Sequence, residues 1–121
     1  MYGRIDSKSI GLTNVSFFER SFLTQVCMGV SDLILKFDRP NVNVMTQAGF
    51  RCLVGNELRK HPIEEAHLLR PFLNRDVRSA TWAEMGTLII SFEGGDEIHL
   101  LDDSDQFESF TITHAGKTIV V

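Results

Sequence analysis

Carboxylates are concentrated in one stretch of the second half of the chain. Six acidic side chains lie there, namely Asp96, Glu97, Asp102, Asp103, Asp105 and Glu108. Calcium takes several carboxylate oxygens, but this stretch lacks the alternating ligands and central glycine of an EF-hand loop. We therefore expect no metal site here. We interpret the stretch either as a solvated loop or as a docking surface for a basic protein.

The other residues that commonly do chemistry form no catalytic motif. Glu64 and His67 would share one face of a helix, but a metal site there would need ligands from further helices. The chain contains no G-x-S-x-G, P-loop or G-x-G-x-x-G sequence. Cys27 and Cys52 lie beside apolar residues, so we expect buried structural thiols, with a disulfide or a nucleophile as alternatives. We expect no catalytic residue and no cofactor.

Aromatic side chains offer a second kind of site. Trp82 and the nine phenylalanines fall mostly at positions expected to face a core, so we interpret them first as packing residues. The alternative is that Trp82, Phe92 and Phe110 line a pocket for a small ligand between two β units. Both interpretations remain open at the level of the sequence.

The elements that would position these residues form a repeat. Apolar residues occupy every second position in two segments, Leu33, Leu35 and Phe37 in the first and Leu88, Ile90 and Phe92 in the second. This period places each set on one face of a strand. Each segment meets a turn and then a further alternating run, which predicts tandem β-meander repeats at approximately 22–55 and 72–112. We expect one mainly β (α+β) domain over residues 1–121, with both repeats sharing a core.

One short helix is expected between the repeats, within residues 61–70. Pro62 suits the first helical position, and Glu64 and Glu65 lie where the helix dipole favours negative charge. Beyond the second repeat, the alternation of Phe110 and Ile112 predicts a C-terminal hairpin over residues 107–121, which the first repeat is expected to lack. The apolar last strand of that hairpin is a candidate contact for a homodimer.

Composition limits the classes of protein that fit this chain of 121 residues, of which 43% are hydrophobic. No apolar run approaches the roughly 18 residues of a transmembrane helix, and the first residues lack the apolar core of a signal peptide. We therefore expect a cytoplasmic protein that does not bind membranes. The net charge of −4 disfavours nucleic-acid binding, because phosphate contacts need a basic face.

Two segments of the second half carry a resemblance to a protein family. They are Leu88-Ile89-Ile90-Ser91-Phe92-Glu93-Gly94-Gly95-Asp96 and Asp105-Gln106-Phe107-Glu108-Ser109-Phe110-Thr111-Ile112, echoed in the first repeat by Leu23-Thr24-Gln25-Val26. They resemble a family of small bacterial proteins of unknown function built from a duplicated β-hairpin unit, some of them immunity-like. The resemblance implies binding rather than catalysis, and it transfers no catalytic residue.

These observations predict a non-catalytic protein-binding module. We expect a basic protein partner that meets the acidic stretch, as an immunity or regulatory protein would meet its target. The alternative is a small-ligand-binding protein or an enzyme whose pocket lies between the two β units.

Overall fold

Ten strands make up most of the part of the chain that the structure describes. The computed structural model describes residues 14–45, 49–83, 86–102 and 109–121. The strands are β1 (Leu23–Met28), β2 (Asp32–Phe37), β3 (Asn41–Met45), β4 (Gly49–Val54), β5 (Glu57–Pro62), β6 (Val77–Trp82), β7 (Leu88–Phe92), β8 (Glu97–Leu100), β9 (Phe110–His114) and β10 (Lys117–Val120). A first 3-10 helix (Ser16–Phe18) precedes β1, and a second 3-10 helix (Ile63–Phe72) precedes β6. The prediction of a mainly β fold with a short helix between two β units is confirmed.

The strands form two five-stranded antiparallel sheets, in the orders β1-β2-β3-β9-β10 and β5-β4-β8-β7-β6. We call β1 to β5 the first unit and β6 to β10 the second unit. Each sheet joins the three-stranded meander of one unit to the last hairpin of the other. The expectation that the first unit lacks this hairpin is wrong, because β4 pairs with β5 from Gly49↔Pro62 to Val54↔Glu57. β5 does not show the apolar alternation of a strand, since four of its six side chains are polar and five are exposed.

The two units are alike in backbone detail. One bulge interrupts the pairing of β1 with β2, and another interrupts β6 with β7 at the same position. Arg20 and Asn74, which precede these strands, have positive φ angles of 63° and 64°. The Arg20 amide donates to the Val77 carbonyl oxygen at 3.0 Å, and the Asn74 amide donates to the Leu23 carbonyl oxygen at 2.7 Å. These two hydrogen bonds are reciprocal, so an approximate twofold axis between the starts of β1 and β6 relates the two units.

The second 3-10 helix starts at Ile63, one residue later than predicted, because Pro62 still belongs to β5. Its buried residues recur at every third position, as Ile63, Ala66, Leu69 and Phe72. This spacing suits the three residues per turn of 3-10 geometry. The backbone of Glu65 is not helical (φ −97°, ψ 24°), so the row continues across a kink. The row packs against the core. Neither this helix nor any other among the described residues is long and apolar enough to cross a membrane.

The core lies between the inner faces of the two sheets, and both 3-10 helices contribute to it. The first helix ends in Phe18, whose ring centroid is 5.3 Å from that of Phe37 at the end of β2. The second helix ends in Phe72, whose centroid is 5.0 Å from that of Phe92 at the end of β7. Each unit therefore anchors its helix to its own meander through one aromatic pair.

Candidate functional site

Asp96, the first residue of the predicted acidic surface, connects two turns. One carboxylate oxygen, Oδ2, accepts a hydrogen bond from Nη1 of Arg75 at 2.8 Å, and Oδ1 accepts one from the Gly55 amide at 3.0 Å. Arg75 also donates Nη2 to the Glu93 carbonyl oxygen at 2.6 Å. The bonds from Arg75 and the Gly55 amide hold the pKa of Asp96 below its ordinary value. This carboxylate therefore already stabilises the β7–β8 and β4–β5 turns.

Glu97 belongs to a polar cluster on the outer face of its sheet. Nε of Arg51 donates to Nδ1 of His99 at 3.1 Å, and Nε2 of His99 lies 2.7 Å from Oε1 of Glu97. Because Nδ1 accepts from Arg51, Nε2 carries the hydrogen that is donated to Glu97. The Ser91 hydroxyl donates to the other oxygen of Glu97 at 3.3 Å. Both ring nitrogens of the buried His99 are occupied, so the cluster fixes neighbouring strands together instead of presenting a free base.

The remaining acidic residues lie beyond the other end of β8. Asp102 accepts a hydrogen bond from the Ser109 hydroxyl at 3.0 Å. Asp103, Asp105 and Glu108 lie outside the described residues. The structure therefore places Asp96 and Glu97 at one end of β8 and Asp102 beyond the opposite end. A docking surface that uses all six acidic residues stays a prediction.

The three aromatic residues of the predicted pocket lie in or against the core. Phe92 and Phe110 are fully buried, and Trp82 is half-buried. The Trp82 and Phe110 rings are stacked with their centroids 6.4 Å apart, whereas Phe92 contacts Phe72. The structure brings two of the three together as packing residues. A ligand pocket formed by all three stays a prediction.

Both cysteines are free thiols. Cys52 is buried in the core, and this burial raises the pKa of its thiol to about 11. The thiol is therefore protonated at neutral pH and behaves as the structural residue that the sequence predicts. Cys27 on β1 is only half-buried, which is less than expected.

Two clefts lie at equivalent places on the exchanged hairpins. The cleft on β4–β5, of about 300 Å³, is lined by Cys52, Val54, Glu57, Arg59, His61 and Leu68. The cleft on β9–β10, of about 280 Å³, is lined by Asn14, Phe17, Ile112, His114, Lys117 and Ile119. In the cleft on β4–β5, Arg59 pairs with Glu57 and His61 lies 3.0 Å from Glu65, so its polar groups are engaged within the chain. In the cleft on β9–β10, the His114 ring stacks on Phe17.

A third depression, which we call the β1 groove, lies between β1 and the second 3-10 helix. Its volume is about 290 Å³. It is lined by Thr24, Gln25, Val26, Met28, Ala66, His67, Arg70 and Leu73. Val26 and Met28 lie opposite Leu35 and Leu33 in register, so their side chains are on the core side of β1. The groove thus opens at the edge of the core, with an apolar floor and two basic side chains on its helical rim.

The β1 groove lies where the two units differ. Met28 and Trp82 hold equivalent positions, since they pair in register with Leu33 and Leu88. Met28 is 58% exposed and Leu73, across the groove, is 37% exposed. Trp82 instead packs against the core and covers Phe110. The unit that ends its first strand in a smaller side chain therefore keeps apolar surface open to solvent.

The β1 groove was not predicted from the sequence. Met28 and Trp82 were each interpreted as part of a strand, and the position of the second helix against β1 depends on tertiary packing. The available signal was the difference in size between Met28 in one repeat and Trp82 at the equivalent position in the other.

No family model, curated protein or solved structure matches the chain.

Proposed function

We propose that the chain is a non-catalytic protein-binding module whose main contact surface is the β1 groove. The proposal is based on Met28 and Leu73, which expose apolar surface on either side of a groove with an apolar floor. Contiguous exposed apolar surface with a polar rim is typical of interaction sites. Removing it from water on binding would supply the driving force for association.

The acidic stretch is a second surface through which the module could bind a partner. A basic partner would approach the stretch from Asp96 to Glu108, as the target of an immunity or regulatory protein would. Asp96, Glu97 and Asp102 bond within the chain, but a paired carboxylate still contributes to the potential that steers an approaching partner. Such a contact predicts an association that weakens strongly with salt, whereas an apolar contact depends little on salt.

Capture of a partner from host lysate by surface variants of the tagged chain tests the proposal. The variants are Met28→Asp in the β1 groove and, as a matched control, Leu58→Asp on β5, where Leu58 is 49% exposed. A third variant combines Asp102→Lys with Asp103→Lys. Every capture is made at low and at moderate salt. We expect the same protein to be retained by the wild type and by Leu58→Asp, and to be lost with Met28→Asp.

Retention by Met28→Asp at wild-type yield would refute the groove as the contact surface. Loss only in the double lysine variant, together with release by salt, would assign the contact to the acidic stretch. Circular dichroism of each variant shows whether it is folded, so that loss of capture is not confused with unfolding.

A further inference from the structure

β1 is an edge strand with backbone groups available for pairing. It lies at the end of its sheet and pairs with β2 on one side. Beyond that ladder, the described residues give its backbone one hydrogen bond, from the Asn74 amide to the Leu23 carbonyl oxygen. The outward backbone groups of residues 24–28 have no partner in the described part of the chain. Such an edge is a template for one more strand.

The rim of the β1 groove carries two basic side chains that no described residue engages. Arg70 and His67 are exposed on the second 3-10 helix and face the groove. No described residue forms a hydrogen bond or ion pair with either side chain, and the groove lining contains no carboxylate. In the cleft on β4–β5, by contrast, Arg59 is already paired with Glu57. An acidic group on an incoming chain would therefore find an available guanidinium at Arg70.

We infer that the β1 groove binds an extended peptide segment of a partner protein, which adds a strand to β1 and places an acidic residue beside Arg70. This inference rests on the proposed function and names the chemistry of its partner. The segment pairs its backbone with the edge of β1 and turns alternate apolar side chains towards Val26 and Met28. Strand addition of this kind takes affinity from main-chain hydrogen bonds and specificity from pockets for alternate side chains.

The groove disfavours other occupants for physical reasons. A helical segment satisfies its own backbone groups and would leave those of β1 unpaired. A basic segment would bring like charge to Arg70, which opposes binding. An extended acidic and apolar segment satisfies both the edge of β1 and the rim of the groove.

Two labelled peptides test the inference by fluorescence polarisation with the whole chain. One is a decapeptide of alternating valine and threonine in which one central valine, on the face turned towards the groove, is replaced by glutamate, and its matched partner carries lysine at that position. We expect the glutamate peptide to bind at least about tenfold more tightly than the lysine peptide at low salt. Arg70→Glu should abolish or reverse this preference. Arg78→Glu, on β6, which is an edge strand of the other sheet, should leave it unchanged.

Three results would overturn the inference: absence of binding by either peptide, equal binding of the two, or the same effect of Arg70→Glu and Arg78→Glu. These results leave the proposed function testable by itself. If partner capture still depends on Met28 while the glutamate peptide has no advantage, the module retains its groove and the assigned occupant is wrong. If capture does not depend on Met28, the proposed function fails as well.

Discussion

β1 and β6 hold equivalent places in the two units, yet the side chain that ends each strand gives it different surroundings. Met28 leaves apolar surface exposed beside the second 3-10 helix, whereas Trp82 packs on Phe110. The bulge, the register and the positive φ angle before the strand are the same in both units. Because the backbone geometry is the same in both strands, the difference in exposure comes from the side chains. The fold therefore does not require the apolar surface of β1 to be exposed.

A second difference between the units shows that divergence alone does not indicate function. In the first unit, Asp38 accepts hydrogen bonds from the Ser21 hydroxyl and the Phe22 amide, which holds the pKa of Asp38 below its ordinary value. In the second unit, Arg75 takes the place of Ser21 and bonds to Asp96 and the Glu93 carbonyl. The groups differ, but both secure the turn after the second strand of the meander. The β1 groove differs in kind, because there one unit makes a packing contact that the other leaves open.

The largest predicted effect tests whether the units share one packing design. Phe18→Ala and Phe72→Ala remove equivalent, fully buried rings that pack on Phe37 and Phe92. Each should lower the free energy of unfolding by about 3–5 kcal/mol. Urea denaturation measures both, with Phe→Leu at the same positions as milder variants in case a cavity prevents folding. If the losses in free energy of unfolding differed severalfold between Phe18→Ala and Phe72→Ala, the two units would not share one packing design.

Trp82→Met makes the second unit resemble the first at the end of its first strand. It removes the ring that covers Phe110, so the free energy of unfolding should fall by about 2 kcal/mol. Thermal and urea denaturation measure the loss, and Trp82→Phe is the control that keeps an aromatic ring. A change within about 0.5 kcal/mol, as for an ordinary surface substitution, would mean that Trp82 does not close its unit.

Arg75→Met tests the ion pair of the second unit and carries a pH dependence. The variant should lose about 1–2 kcal/mol near neutral pH, because Arg75 and Asp96 are both largely shielded from solvent. The pKa of Asp96 is lowered on folding, so its contribution to stability is present above the unfolded value and disappears as the pH falls through the folded value. The gap between wild type and variant should therefore narrow in acid. Denaturation across a pH series measures it, and a gap that is constant with pH would assign the loss to packing.

Met28→Trp is the reverse substitution, and its predicted effect on stability is the smallest. Met28 is largely exposed, so the free energy of unfolding should change by no more than about 0.5 kcal/mol. The bulky indole should nevertheless fill the β1 groove and abolish binding of the glutamate peptide. Leu58→Trp, at another exposed apolar position, is the matched control and should bind normally. Normal binding by Met28→Trp would separate the groove from recognition.

Alternation of apolar residues was sufficient to predict most strands and the mainly β fold. Leu33, Leu35 and Phe37 are buried as expected, and Gly94 and Gly95 adopt the positive φ angles that their turn requires. β5 was missed because it is an edge strand with almost no buried side chain. The exchange of hairpins was also beyond the sequence, since β4 pairs with β8 through contacts between distant parts of the chain.

The candidate site was predicted less well than the fold. Residue type identified Asp96 and Glu97 as acidic, but it could not show that Arg75 and His99 already engage them. The β1 groove forms where the second 3-10 helix packs beside β1, which belongs to the other unit, so no local sequence pattern could predict it. Its key residue, Met28, is an apolar residue in a strand and looks like core until its exposure is known.

Amide hydrogen exchange on the whole chain, with and without saturating glutamate peptide, shows which edge strand binds the peptide, because β6 serves as an internal control for β1. We expect slower exchange in β1 and in the second 3-10 helix, with β6 unchanged. Equal protection of β1 and β6, or protection confined to residues 96–108, would contradict it.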